Sequence, residues 1–104
     1  ALRRAALLVA AHPQDATLCF LAAELYLRHE RTDDAVALLR RVRLDPAIAP
    51  GERLRASNRL VDVHLARPDE RALAMRELRT IVREHAGSAA AAGAARLLTE
   101  LSAE

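Results

Sequence analysis

Four histidines and one cysteine are the residues of this chain best suited to metal binding or proton transfer. Zinc sites draw on His and Cys at short spacings, such as two His four residues apart on one helix face. The histidines here are widely separated and have no Cys or acidic residue at ligand spacing: His12, His29, His64 and His85. We therefore expect no metal and no cofactor, and we interpret His64 as a packed core residue.

A hydrolytic nucleophile would need an adjacent base and a group that orients the base. Ser57 and His64 share a helix face, but they are seven residues apart and no carboxylate lies on that face. Cys19 lies on an apolar face with Ala22 and Ala23, which favours a small buried hydrophobe over a nucleophile. With no phosphate-binding loop either, we expect a protein that is not an enzyme.

The pattern that positions these residues is helical throughout. Hydrophobic residues make up 52% of the 104 residues and aromatic residues only 2%, so Ala and Leu must form the core. Apolar residues recur at helical spacing, and Pro13, Pro46, Pro68 and Gly87 interrupt them. We predict an all-α fold with six helices, at about 2–11, 15–29, 33–44, 50–66, 68–86 and 89–101, with Thr32 and Ser88 as N-caps.

The segment 33–46 has a relative at the start of the chain, 1–13, and both amphipathic segments end at a proline. In the first half, Ala23, Tyr26, Ala35 and the Asp45-Pro46 turn match a helix–turn–helix repeat, and the pattern resembles the tetratricopeptide repeat of about 34 residues. The match departs at Glu30, where the family usually has Gly, at Cys19, which replaces a large aromatic residue, and in the segment 42–46, which is one residue short.

The resemblance implies antiparallel helix pairs stacked in a right-handed solenoid. We predict a single domain over 1–104: the second helix of a truncated repeat at 1–13, a repeat at 14–46, a divergent repeat at 47–87 and a terminal helix at 88–104. The first helix of the 14–46 repeat carries Cys19, Ala22, Ala23 and Tyr26 at matched positions. In the divergent repeat these positions are taken, in the same order, by Ser57, Leu60, Val61 and His64. In the terminal helix they are taken by Ala91, Ala94, Ala95 and Leu98. Because helical periodicity is already running at Leu2, we expect a fragment of a longer repeat protein. Arg in every basic position indicates a GC-rich, bacterial genome.

In tetratricopeptide proteins the first helix of each pair lines a concave groove. Carried onto this chain, the resemblance implies a mixed-charge, partner-binding groove formed by Phe20, Glu24, Leu27, Arg28, Arg55, Asn58, Asp62 and Arg96. Phe20 either anchors a peptide side chain there or packs against a neighbouring helix. Glu24 and Asp62 would repel the carboxylate that the family's chaperone-binding variants grip.

Charge and hydropathy limit the partners. The net charge is only +2 and arginines alternate with carboxylates, which disfavours nucleic acid. The apolar runs are too short to insert into a membrane. We expect an interaction scaffold for a peptide or partner protein. The alternative is a structural or spacer segment of a larger, membrane-anchored protein that self-associates through its helical ends as a homo-oligomer. A soluble fragment is expected, cytoplasmic rather than periplasmic.

Overall fold

The computed structural model describes residues 1–103 and, over that range, contains six α-helices and one short 3-10 turn. The helices are α1 (Leu2–Ala11), α2 (Ala16–Arg28), α3 (Thr32–Leu44), α4 (Pro50–Leu65), α5 (Arg71–Glu84) and α6 (Ala89–Ala103), and the 3-10 turn is Pro68–Glu70. The predicted all-α class and the six helices are therefore confirmed.

Each helix boundary lies within three residues of the predicted one, and two of the predicted helix starts need a correction. Thr32 is the first residue of α3 rather than its cap, and the flanking Arg31 makes no capping bond with its side chain. Pro68 opens the 3-10 turn, and α5 begins only at Arg71. Ser88 does cap α6, since its Oγ accepts from the Ala91 backbone N–H at 3.1 Å. At both corrected starts, the predicted boundary and the observed one lie within three residues.

The chain forms two compact units, Ala1–Ala56 and the residues from Ser57 onward. In the first unit, α2 packs against both α1 and α3. The facing residues of α2 and α3 are small or aliphatic and all buried, namely Cys19, Ala22, Ala23, Ala35, Leu38, Leu39 and Val42. Since only three residues separate α2 from α3, the two helices run antiparallel. The predicted burial of Cys19 on an apolar face with Ala22 and Ala23 is therefore confirmed.

The turn between α2 and α3 holds Glu30 in a backbone conformation that is unusual for glutamate. Glu30 has a φ of 61°, in the left-handed region where glycine is favoured. The following residue, Arg31, donates its backbone N–H to Tyr26 O at 2.8 Å, which closes the end of α2. The position thus requires the conformation that glycine adopts most easily, although a glutamate occupies it.

The second unit contains the rest of α4, the 3-10 turn, α5 and α6. Its core consists of Leu60 and Val61 from α4, Ala74, Leu78 and Ile81 from α5, and Ala91 and Ala94 from α6. Ala95 and Leu98, which take the positions of Ala23 and Tyr26 in the comparison with α2, are exposed and half-buried.

Replacing Glu30 with glycine is expected to stabilise the protein. The substitution removes the steric cost of a left-handed residue with a Cβ, which exceeds the entropy that glycine adds to the unfolded chain. We expect Glu30→Gly to raise the free energy of unfolding by about 0.5–1 kcal/mol, measured by urea denaturation followed by circular dichroism.

Two controls separate this effect from a general effect of glycine. Ala37→Gly, at an exposed position inside α3, is expected to destabilise by about 1 kcal/mol. Gly87→Ala places a Cβ at a φ of 84° and is also expected to destabilise. A Glu30→Gly protein that is no more stable than the parent would contradict this account of the turn.

Candidate functional site

The predicted groove residues are distributed over both compact units. Phe20, Glu24, Leu27, Arg28 and Arg55 belong to the first unit, and Asn58, Asp62 and Arg96 belong to the second. Six of the eight are exposed, Leu27 is half-buried and Phe20 is buried. The polar residues of the predicted groove are therefore accessible to a partner.

Phe20 adopts the packed alternative. Its side chain is only 6% exposed, and the guanidinium carbon of Arg55 lies 4.3 Å from the centroid of its ring. A guanidinium over an aromatic face at this distance contributes about 0.5–1 kcal/mol at an exposed site. Phe20 thus holds Arg55 in place and does not offer its ring to a ligand.

A cleft in the second unit brings two of the predicted residues together. Asn58 and Asp62 lie one turn apart on α4, on the same helix face. They form one rim of a cleft of about 380 Å³, and Ala90, Gly93 and Leu97 of α6 line it as well. The buried side chains of Val61, Leu78 and Ala94 complete the lining. The result is a small apolar surface with an amide and a carboxylate along one edge.

Sequence reasoning missed the α6 side of this cleft, since Arg96 is the α6 residue that it assigned to the groove. Arg96 does not line the cleft. Gly93 is the signal that could have identified the α6 side of the cleft. It lies inside a run of alanines, and a glycine inside a helix costs about 1 kcal/mol relative to alanine. A Cβ built on Gly93 would meet no atom within 4 Å, so packing does not require the glycine.

His64 has a carboxylate partner that the sequence pattern did not show. Its Nδ1 lies 2.9 Å from Glu70 Oε1, and Arg67 donates to Glu70 Oε2 at 2.7 Å. His64 is 5% exposed, in agreement with the predicted core histidine. The hydrogen bond with His64, followed by that from Arg67, lowers the pKa of Glu70 below its ordinary value. The three side chains fasten the end of α4 to the 3-10 turn.

The His64–Glu70 pair has the form of a base and its orienting carboxylate, but Ser57 is not placed to serve as its nucleophile. Seven residues of α-helix separate Ser57 from His64, a rise of about 10 Å along the axis, beyond the reach of a hydrogen bond. Ser57 is also buried, at 1% exposed. The arrangement therefore favours a structural role for the His64–Glu70 pair, which joins α4 to the 3-10 turn, over hydrolytic chemistry.

Cys19 also takes part in a structural contact. Burial raises the pKa of its thiol, opposed by the Arg41 guanidinium, which donates to Sγ at 3.5 Å. The other Arg41 nitrogen donates to Pro13 O at 3.0 Å. Arg41 thus links α3 to the loop after α1, and the thiol it contacts is disfavoured as a thiolate.

No family model, no curated protein and no solved structure matches the chain. Over residues 1–103, no helix combines the length and apolar character that crossing a membrane requires. The same residues contain no cluster of three His, Cys, Asp or Glu side chains able to hold a metal ion. The site must therefore be interpreted from its own geometry.

The contacts of Glu70 with His64 and Arg67 are expected to make the stability of the protein depend on pH. Because the pKa of Glu70 is lowered in the folded state, its contribution is fully present above the ordinary glutamate pKa and is lost as pH falls through the lowered one. Glu70→Gln is expected to be less stable than the parent at neutral pH, and the difference is expected to shrink in acid. Urea denaturation at a series of pH values from neutral to acidic measures both effects.

Glu84→Gln serves as a surface control, since Glu84 is exposed at the end of α5. It is expected to change the unfolding free energy at neutral pH by no more than about 0.5 kcal/mol. A stability difference between Glu70→Gln and the parent that stays constant down to acidic pH would show that the Glu70 charge does not contribute to stability.

Proposed function

We propose that this chain is a non-enzymatic, tetratricopeptide-like scaffold that binds a peptide segment of a partner protein. The observation that carries the proposal is the cleft in the second unit, where Asn58 and Asp62 lie along an apolar floor. Such a surface offers contact area from its floor and selectivity from its rim. The resemblance of the first-half sequence to the tetratricopeptide repeat supports the same class of function.

The size of the cleft indicates how much of a partner it can take. A volume of about 380 Å³ is near the lower end of ligand pockets in proteins, and it suits one or two side chains of a peptide. The buried side chains of Val61, Leu78 and Ala94 are all aliphatic. An aliphatic anchor such as leucine, inserted between α4 and α6, is the group that this surface complements.

The rim defines the polar part of the expected ligand. The Asn58 amide has both donor and acceptor atoms, so it can pair with a peptide backbone group. Asp62 is the charged residue among those lining the cleft, and its exposed carboxylate would accept hydrogen bonds from Arg or Lys. We therefore expect peptides that combine an aliphatic anchor with a neighbouring basic residue.

Selection from a random peptide display library, followed by fluorescence titration of the selected peptides, tests the proposal. Gly93→Leu fills the cleft without a clash at Cβ and is expected to weaken binding at least tenfold. Asp62→Lys reverses the rim charge and is expected to weaken peptides that carry the basic residue, about tenfold for one charge-assisted hydrogen bond.

Ala72→Leu is the matched control, because it adds an aliphatic side chain at an exposed position of α5 that does not line the cleft. It is expected to bind the selected peptides as the parent does. If Gly93→Leu and Asp62→Lys, both folded by circular dichroism, bind the selected peptides as tightly as the parent, the cleft is not the binding site.

A second candidate function, assembly of copies of the chain, is favoured by a different observation. Helix α1 has ten residues and none of them is buried. A helix of this kind presents apolar surface that a further element could cover.

A further inference from the structure

The exposed face of α5 carries three arginines, which we call the arginine row. Arg76, Arg79 and Arg83 are all exposed, and they follow one another at intervals of three and four residues. This spacing places them one above the other on one side of the helix, opposite the buried Ala74 and Ile81. At 1.5 Å per residue, the row is about 10 Å long. Helix α5 therefore presents three positive charges in a line.

The carboxylates that neighbour the arginine row in the sequence do not neutralise it in the structure. Glu77 follows Arg76 and Glu84 follows Arg83, so positive and negative charges are interspersed along the chain. Glu77 is buried, however, at 5% exposed, and Glu84 is rotated about 100° around the helix from Arg83. The ion pairs that residues 1–103 form involve other arginines and none of the row. The alternation of charge in the sequence thus becomes a separation of charge in space.

The arginine row is locally unfavourable for α5. Arg76 and Arg79 are three residues apart and Arg79 and Arg83 are four apart, so both pairs are like-charge neighbours that destabilise the helix. Arg83 lies in the last turn, where the helix dipole favours a cation, but the dipole effect does not extend to Arg76 and Arg79. A carboxylate from another molecule, placed beside the row, would replace this repulsion with charge-assisted hydrogen bonds.

The surroundings of the arginine row favour a protein partner over nucleic acid. Ala72 lies one turn before Arg76 on the same face, and Leu73 next to it is 37% exposed. A partner helix would remove these aliphatic side chains from water, whereas a phosphate backbone offers them no apolar contact. The net charge of the whole chain is only +2, so the long-range field that draws a protein to nucleic acid is weak.

A helix that packs beside α5 would meet the arginine row in a defined register. In a nearly antiparallel pair of helices, the residues opposite Arg83, Arg79 and Arg76 are i, i+4 and i+7 of the partner. These three positions share one face of the partner helix, so three carboxylates there can each accept hydrogen bonds from one guanidinium. The partner residue at i+11 then lies opposite Ala72 and beside Leu73.

We propose that the arginine row of α5 binds an acidic helix of a partner protein, antiparallel to α5, with carboxylates at i, i+4 and i+7 and an aliphatic residue at i+11. The contact is independent of the proposed peptide cleft, because α5 contributes to that cleft through Leu78, on the buried side of the helix. The two surfaces also select opposite charges, since the cleft carries Asp62 and the row carries arginines.

Fluorescence anisotropy of labelled, alanine-rich helical peptides with the whole chain tests the proposal. The acidic peptide has Glu at i, i+4 and i+7 and Leu at i+11. A neutral peptide has Gln at the three Glu positions, and a scattered peptide has the composition of the acidic one with its glutamates spread around the helix. The acidic peptide is expected to bind at least tenfold more tightly than either, and its affinity is expected to fall with added salt. Duplex DNA and vesicles of anionic lipid, titrated in the same buffer, are expected to bind more weakly than the acidic peptide.

Arg79→Glu separates an effect on binding from an effect on folding. It converts both like-charge pairs of the row into opposite-charge pairs, so the urea midpoint of the protein is expected to rise. The same substitution is expected to weaken binding of the acidic peptide about tenfold, because it removes one ion pair and adds a repulsion. Arg40→Glu is the matched control, since it makes the same change of net charge at an exposed position of α3. It is expected to bind the acidic peptide as the parent does.

A charge exchange gives a second readout. The triple variant Arg76→Glu, Arg79→Glu, Arg83→Glu is expected to lose the acidic peptide and to bind a peptide with Arg at i, i+4 and i+7, which the parent does not bind. Equal binding of the acidic and scattered peptides would overturn the proposal, as would an Arg79→Glu variant that binds like the parent or an Arg40→Glu variant that is weakened as much. Tighter binding of DNA or of the vesicles than of the acidic peptide would overturn it in favour of a polyanion.

Discussion

The structure depends on the close approach of helices through small side chains. With one phenylalanine, one tyrosine and no tryptophan, the chain cannot fill wide gaps between helices with large rings. Alanines with no exposed surface, such as Ala23, Ala35, Ala56 and Ala74, occupy the contacts, and Leu39, Leu60 and Ile81 fill the space between them. Because close packing of this kind leaves little free volume, the helices that carry these alanines, α2 to α5, present only their remaining faces to solvent or to a partner.

Close packing also determines where the chain contains a locally unfavourable conformation or a buried polar group. The short connection between α2 and α3 forces Glu30 into a left-handed conformation, since a longer turn would separate Ala23 from Ala35. At the end of α4, a buried histidine is satisfied by Glu70 from the following turn. In both places, the local arrangement follows from keeping neighbouring elements of the chain together.

The sequence predicted the helices and the buried face of α2, because those features follow from local periodicity and from proline and glycine positions. It could not predict contacts that depend on where a distant element lies. The Glu70 partner of His64 comes from a turn beyond the helix, and Arg55 covers Phe20 from another helix.

The candidate surfaces coincide with places where the sequence departs from what its own helix would favour. Gly93 weakens α6 without any packing need, and it lines the same cleft as Asn58 and Asp62. Arg3 and Arg4 oppose the dipole of α1, and they stand beside an apolar groove. A folded chain is expected to be locally consistent except where function requires otherwise. These departures, rather than the repeat pattern, are where the proposed binding and assembly surfaces lie.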